Sequence, residues 1–259
     1  MSWLTAVAVA GAVAWIAWRV RTLSGDGGLA AWAVGSAVLA GTGWAGALVL
    51  ATFFVPSSAI SRLTERWIPA WVDAKGTRRD APQVLANGGA ALAGGVIGMA
   101  DAGGSLGLWI VTTSLAAAAA DTWATACGAL SSRDPVDVVR WRTVPKGASG
   151  GVSIPGTLGG VLGAGLVAAA GSLAGGDAGL GWAATALGVS GMVADSVLGA
   201  TVQGRFRCPA CDLPSERRRH RCGTVTLPVG GVPWVSNDAV NALATALAAG
   251  GALALWHWR

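Results

Sequence analysis

An all-α polytopic membrane fold is what this sequence predicts, and three observations predict it. Of 259 residues, 53% are hydrophobic and only 12% are charged, with a mean hydropathy of +0.55. Apolar runs fall at about 2–20, 28–55, 83–100, 104–125, 154–175, 179–203 and 236–257, each near or above the ~20 residues that a spanning helix needs. Glycine, at 40 residues, and alanine recur inside these runs, as helices that approach closely in lipid require. The composition excludes a soluble enzyme. A single transmembrane domain over 1–259 is expected, with about seven transmembrane helices and a small Cys/His-containing cytoplasmic loop at 205–223.

The net charge of +5 is laid out as membrane topology and gives no nucleic-acid signal. Of 18 Lys and Arg, five lie in 56–81, four in 131–146 and six in 205–221. These loops follow the second, fourth and sixth runs and so share one face, which the positive-inside rule assigns to the cytoplasm of the cell membrane. The N-terminus is then inside and the C-terminus outside, with Arg19 and Arg21 on the disfavoured outer side. No basic n-region or cleavage site suggests a signal peptide.

The first two runs carry little polar chemistry. Trp3, Trp15, Trp18, Trp32 and Trp44 read as interfacial or packing residues. From Ser57 to Asp73, Ile60, Leu63, Trp67 and Trp71 recur at helical spacing opposite Arg62, Glu65 and Arg66. That pattern predicts an amphipathic helix lying in the interface.

The third run is entered through KGTRRDAPQVLANGG. Lys75, Arg78 and Arg79 form a basic cluster, and Asp80, Gln83 and Asn87 follow on one helical face. Topogenic charge explains the cations but not Gln83 and Asn87, since polar groups at membrane depth are costly and face a bundle interior or a wet site. The fourth run ends in AAAADTWATACG, where Asp121 and Thr125 share a face. The sixth repeats the feature in ADSVLGATVQ, with Asp195, Gly199 and Gln203 aligned. The seventh opens with Asn237, Asp238 and Asn241. Carboxylates within spanning segments are candidate functional groups. Asp121, Asp195 and Asp238 therefore converge on a cation such as Mg²⁺, or are neutralised by nearby Lys and Arg.

Between the fourth and fifth runs lies TVPKGASGGVSIPGTLGGVLG. Gly147, Ser149, Gly150, Gly151 and Ser153 leave backbone N–H groups uncovered ahead of a helix N-terminus, and Lys146 adds a positive charge. Such a loop is an anion cradle; equally, it is a tight connection between packed helices. It lacks the GxxxxGK[ST] of a Walker A loop. The loop before the seventh run reads CPACDLPSERRRHRC. Cys208 and Cys211 form a CxxC knuckle that His220 and Cys222 complete to a tetrahedral Zn²⁺ donor set, with a free thiol cluster as the alternative.

In order, KGTRRDAPQVLANGG, ADTWAT, VPKGASGGVSIPGT, ADSVLGATVQ with its CxxC, and NDAVN resemble the integral-membrane family that includes plant phytyl-phosphate kinase and transmembrane protein 19. The resemblance covers roughly 75–245; where the family's ADTWATE-type motif ends in Glu, this chain has Ala126. It implies phosphorylation of an isoprenoid monophosphate to the diphosphate, with CTP or another nucleoside triphosphate as donor. Phosphoryl transfer demands positioning and charge neutralisation above all. On that reading Asp121, Asp195 and Asp238 hold Mg²⁺, and Lys75, Arg78, Arg79 and Lys146 hold phosphates. The backbone from Gly147 to Gly151 cradles the donor, Asn87, Gln203, Asn237 and Asn241 orient oxygens, and the prenyl tail lies between apolar helices. Two other classes fit the same residues. One is a prenyl alcohol kinase or cytidylyltransferase with Asp80 or Asp121 as base. The other is an ion-coupled transporter or lipid flippase, although all polar motifs cluster on one face, unlike a midplane site.

Overall fold

A computed structural model describes residues 2–68, 78–101, 103 and 105–258. They form seven α-helices: α1 (Trp3–Arg19), α2 (Gly25–Thr64), α3 (Ala81–Ala100), α4 (Ser105–Ala129), α5 (Ile154–Gly175), α6 (Ala178–Thr201) and α7 (Asn237–Trp256). Five of them, α2, α3, α5, α6 and α7, are long and apolar enough to cross a membrane. Small strands decorate the loops: β1 (Val136–Asp137) pairs with β2 (Gly151–Val152), and β3 (Arg205–Arg207) lies between β4 (Pro214–Ser215) and β5 (Leu227–Gly230).

Local chemistry fixes the helix starts. Ser24, Asp80, Ser153, Asp177 and Ser236 each accept a hydrogen bond from a first-turn N–H, which satisfies donors that a helix N-terminus otherwise leaves free. Helix α4 is the hub and packs against α2, α3, α5, α6 and α7. Its stretch Ala116–Ala120 is wholly buried. Small residues permit this: a Cβ on Gly188 of α6 would lie 2.9 Å from the Cβ of Ala116.

Helix α2 reverses on itself. Gly43 has φ 64° and ψ −149°, a backbone state open to glycine. A Cβ on Gly35 would lie 3.9 Å from Leu50 Cδ2, although fifteen helical residues span roughly 22 Å when straight. Arg62 reaches back to donate to the Val20 carbonyl at 2.8 Å. Residues 25–42 and 44–64 are thus two arms of a hairpin, where the sequence suggested one run from 28 to 55. The segment expected as a separate amphipathic helix is the end of α2 plus a 3-10 turn at Glu65–Trp67; its Trp71 lies outside the described residues.

The reversal reorders the topology. Helix α1 ends, both arms of α2 terminate, and α3, α5 and α7 begin at the same end of the bundle where α4 and α6 finish. Contacts at this end include Ser24 N to Arg79 O at 3.0 Å and Gly204 N to Val235 O at 2.9 Å. At the far end, Trp109 donates to Asp177 at 3.0 Å and meets Trp256 edge-on at 5.8 Å. Arg19 and Arg21, expected opposite the other cations, stand with them. Every Lys and Arg among the described residues lies at this one end.

Candidate functional site

The centre of the site is a layer shared by α4, α6 and α7. Its register is set by Gly191, where a Cβ would lie 2.7 Å from the Cβ of Ala117 and 3.2 Å from the Ala244 carbonyl oxygen. One turn nearer the basic end, the same faces carry Asp195 on α6, Asp121 on α4 and Asn241 on α7. The carboxyl groups of Asp121 and Asp195 are in hydrogen-bonding contact. Asp195 Oδ2 and Asn241 Oδ1 are buried and meet no hydrogen-bond partner. Asp238 lies in the first turn of α7, further out than Asn241, and Asn237 opens the helix, exposed.

The glycine-rich loop roofs this layer. Gly150, at φ 80°, packs so tightly on α6 that a Cβ would lie 2.7 Å from Ala200 Cα. A Cβ on Gly199, one turn beyond Asp195, would lie 3.5 Å from Ser149 Cβ. Ser149 Oγ accepts from Gln203 Nε2 at 3.0 Å and donates to the Glu216 carboxylate. Glu216 is near enough for its charge to act on Asp195. Glu216, itself exposed, thus links the loop electrostatically to the Asp121–Asp195 pair. Arg140 fastens the loop to α6, donating to Asp137 at 3.0 Å and to the Ala200 carbonyl at 2.8 Å. The Arg140 N–H, then those of other neighbours and the Arg140 guanidinium, hold the Asp137 carboxyl below its usual range.

Several loop residues serve the fold locally. The Ala148 and Gly151 N–H groups bond to Pro145 and Ala148 carbonyls within the loop, and Ser153 caps α5. Lys146 Nζ is seated on the Ser131 carbonyl. Among the described residues, the N–H groups of Gly147, Ser149 and Gly150 meet no acceptor, so the cradle expected from Gly147 to Gly151 is narrower than the glycine run.

The start of α3 forms a second polar group. Asp80 and Gln83 make a reciprocal capping box. Arg78 donates to the Leu23 carbonyl at 2.9 Å, and Asn87 to that of Gln83 at 3.0 Å. The Arg79 guanidinium lies 5.6 and 5.9 Å from the rings of Phe53 and Phe54, and burial lowers its pKa to about 10. It stays cationic at neutral pH. Lys75 lies outside the described residues. Helix α7 joins the two groups, since Thr245 Oγ1 bonds the Ala86 carbonyl at 3.0 Å.

Above the loop, Cys208, Cys211, His220 and Cys222 bring one donor atom each within 4.8 Å of one another. The thiol of Cys222 is pulled down by contacts with Thr224 and then His220, whereas Cys211 is pushed up chiefly by its hydrogen bond to Cys222.

Of the residues singled out from sequence, the structure brings Asp121 and Asp195 together with Asn241 in one layer and packs Ser149, Gly150 and Gln203 above it, while Asp238 lies further out on α7. Sequence reading missed Glu216. That residue sits in the charged stretch Ser215–Arg219, which reads as topogenic, and only the ribbon's pairing of Phe206 with Ser215 turns it toward Ser149.

The model of the family described as integral membrane protein DUF92 matches residues 8–249. An uncharacterized membrane protein of Methanocaldococcus jannaschii is 32% identical over 183 residues, covering 70% of this chain and 75% of the relative. Another, of Synechocystis sp., is 27% identical over 237 residues, covering 85% of this chain and 77% of the relative. No solved structure matches. Over residues 8–249, nearly its whole length, the chain belongs to the DUF92 family of integral membrane proteins.

Proposed function

We propose that the chain is a Mg²⁺-dependent phosphotransferase that converts an isoprenoid monophosphate to the diphosphate, with CTP or another nucleoside triphosphate as donor. The substrate class comes from the ordered motifs; the chemistry rests on one observation. Asp121 and Asp195 press two carboxyl groups together from two apolar helices, and Asp195 Oδ2 is left without a partner. Like charges this close repel unless a proton or a cation lies between them. The polar groups nearest in the fold are hard oxygens: Glu216, whose charge acts on Asp195 and which accepts from Ser149, and Asn241 in the same layer of α7. This set suits Mg²⁺, which binds through one or two carboxylates together with substrate phosphates. A metal held by these residues would supply positive charge to offset that of the phosphate groups.

The chain's own residues do the rest. Asp121 and Asp195 anchor the metal-binding face, and Glu216 with Asn241 completes it in place of the more distant Asp238. Gly147, Ser149 and Gly150 offer N–H groups to the donor phosphates. Arg78, Arg79 and Lys146 draw both anions to this end. A phosphate monoester is largely ionised at neutral pH (second pKa about 6), so the acceptor needs no strong base. The acceptor's prenyl tail runs into lipid between the apolar helices. The cationic end faces the cytoplasm by the positive-inside rule, where nucleotide is available.

The test is transfer from γ-labelled nucleotides by the purified protein in detergent with Mg²⁺, against prenyl alcohols and prenyl monophosphates of graded length. Label in a prenyl diphosphate supports the reading. Label only in products of alcohols moves the acceptor one step earlier. No transfer to any acceptor overturns it.

A further inference from the structure

We propose that Cys208, Cys211, His220 and Cys222 hold one Zn²⁺ in a Cys₃His tetrahedron, and that this ion orders the loop that brings Glu216 to Ser149. The metal claim stands on geometry apart from the catalytic reading. Zinc–sulfur bonds of about 2.3 Å place two sulfurs of a tetrahedron about 3.8 Å apart. Cys208 and Cys222 have their sulfurs 3.6 Å apart, and His220 Nδ1 is 3.1 Å from Cys222 Sγ. All four cysteines of the chain are free thiols, so no disulfide explains the cluster. His220 Nδ1, turned toward Cys222 Sγ, is the ring nitrogen placed to ligate, and Nε2 is buried on the other side of the ring.

The backbone is shaped for ligation as well. Cys208 and Cys211 flank a tight turn closed by Cys208 N to Leu213 O and Asp212 N to Cys208 O, both 2.9 Å, with Asp212 at φ 54°. A second turn presents His220 and Cys222, closed by Gly223 N to His220 O at 2.8 Å and His220 N to Thr224 O at 2.9 Å. Two turns facing each other, each offering two ligands, are what a structural zinc site uses. A small three-stranded sheet and buried Phe206 hold one side of the segment. Around the cluster the buried side chains are Cys208, Ser215, His220 and Thr226, whereas Val225, Leu227, Val229 and Trp234 are exposed. A loop with so few buried apolar side chains gains order from a cross-link, and binding energy of a structural metal is folding energy. Glu216 lies between the two ligand pairs, directly after β4, so its reach to Ser149 depends on that cross-link.

Metal analysis of the protein purified without chelator, or reloaded with Zn²⁺, should find about one zinc per chain. Cys208→Ser with Cys222→Ser should lose it, and Cys127→Ser, remote from the cluster, should keep it. Co²⁺ in place of zinc should give the intense visible bands of a tetrahedral thiolate site. Trypsin should cut the stripped protein between Arg217 and Arg221 and spare the zinc-loaded form. No zinc after reloading, or equal zinc in the double variant, overturns the site. Equal cleavage of loaded and stripped protein overturns its ordering of the Glu216 loop. None of these readouts requires phosphotransfer, so the proposed activity stands or falls separately.

Discussion

Asp121 of α4 and Asp195 of α6 share a hydrogen-bonding contact one turn above the point where Gly191 lets the two helices close on each other. The tight helix packing and the acidic pair are thus one feature. A Cβ at 191 would press on Ala117 at 2.7 Å, so Gly191→Ala should spread the helices and separate the carboxyl groups.

Asp121→Asn and Asp195→Asn should each lower phosphotransfer by at least roughly 100-fold, the scale of losing one preorganised electrostatic contact in an active site. Neither change strands a buried cation, so melting temperature in metal-free detergent solution should hold or rise. Turnover and melting are measured on the same preparations. A fall in melting temperature with turnover preserved would show that the pair is structural.

Glu216→Gln tests the residue that sequence reading passed over. It should keep the fold and the zinc content while reducing turnover and weakening the Mg²⁺ dependence. A Mg²⁺ titration of activity checks this; a variant indistinguishable from the parent removes Glu216 from the site.

Gly150→Ala forces a Cβ onto α6 and places a side chain at φ 80°. Strain of this kind costs about 1–3 kcal/mol. Adding Ala200→Gly removes the Cβ contact alone; the approach to the Ala200 backbone at 2.7 Å and the left-handed conformation both remain, so the double variant should recover only a small part of the lost melting temperature.

Asp137 predicts a pH dependence. Its pKa is depressed in the folded protein, so its stabilisation is complete above the ordinary carboxylate value and is lost as pH falls through the depressed one. The melting difference between the parent and Asp137→Asn should be largest at neutral pH and shrink on acidification. A difference that grows toward low pH has the wrong sign.

Much of this was legible in the sequence because lipid imposes blunt rules. Apolar length marks the helices, and a carboxylate inside such a run, as at Asp121 and Asp195, stands out against its cost. The turn at Gly43 left no such mark, because Gly41-Thr42-Gly43 carries no charge and a tight reversal needs no charged loop. Asp80 and Gln83 looked like site residues because their spacing suits a shared face; the same spacing makes a capping box. Glu216 was hidden for the opposite reason, as one charge among many in a loop whose fold depends on contacts distant in sequence.

The reversal at Gly43 also fixes parity. Two arms leave and return at the same end, so residues 25–64 could be excised or duplicated as a unit without inverting anything downstream. Removing α1 alone offers no such neutrality. Reporter domains fused ahead of Trp3 and behind Trp256 should therefore report the same compartment, opposite to one inserted at Ser132.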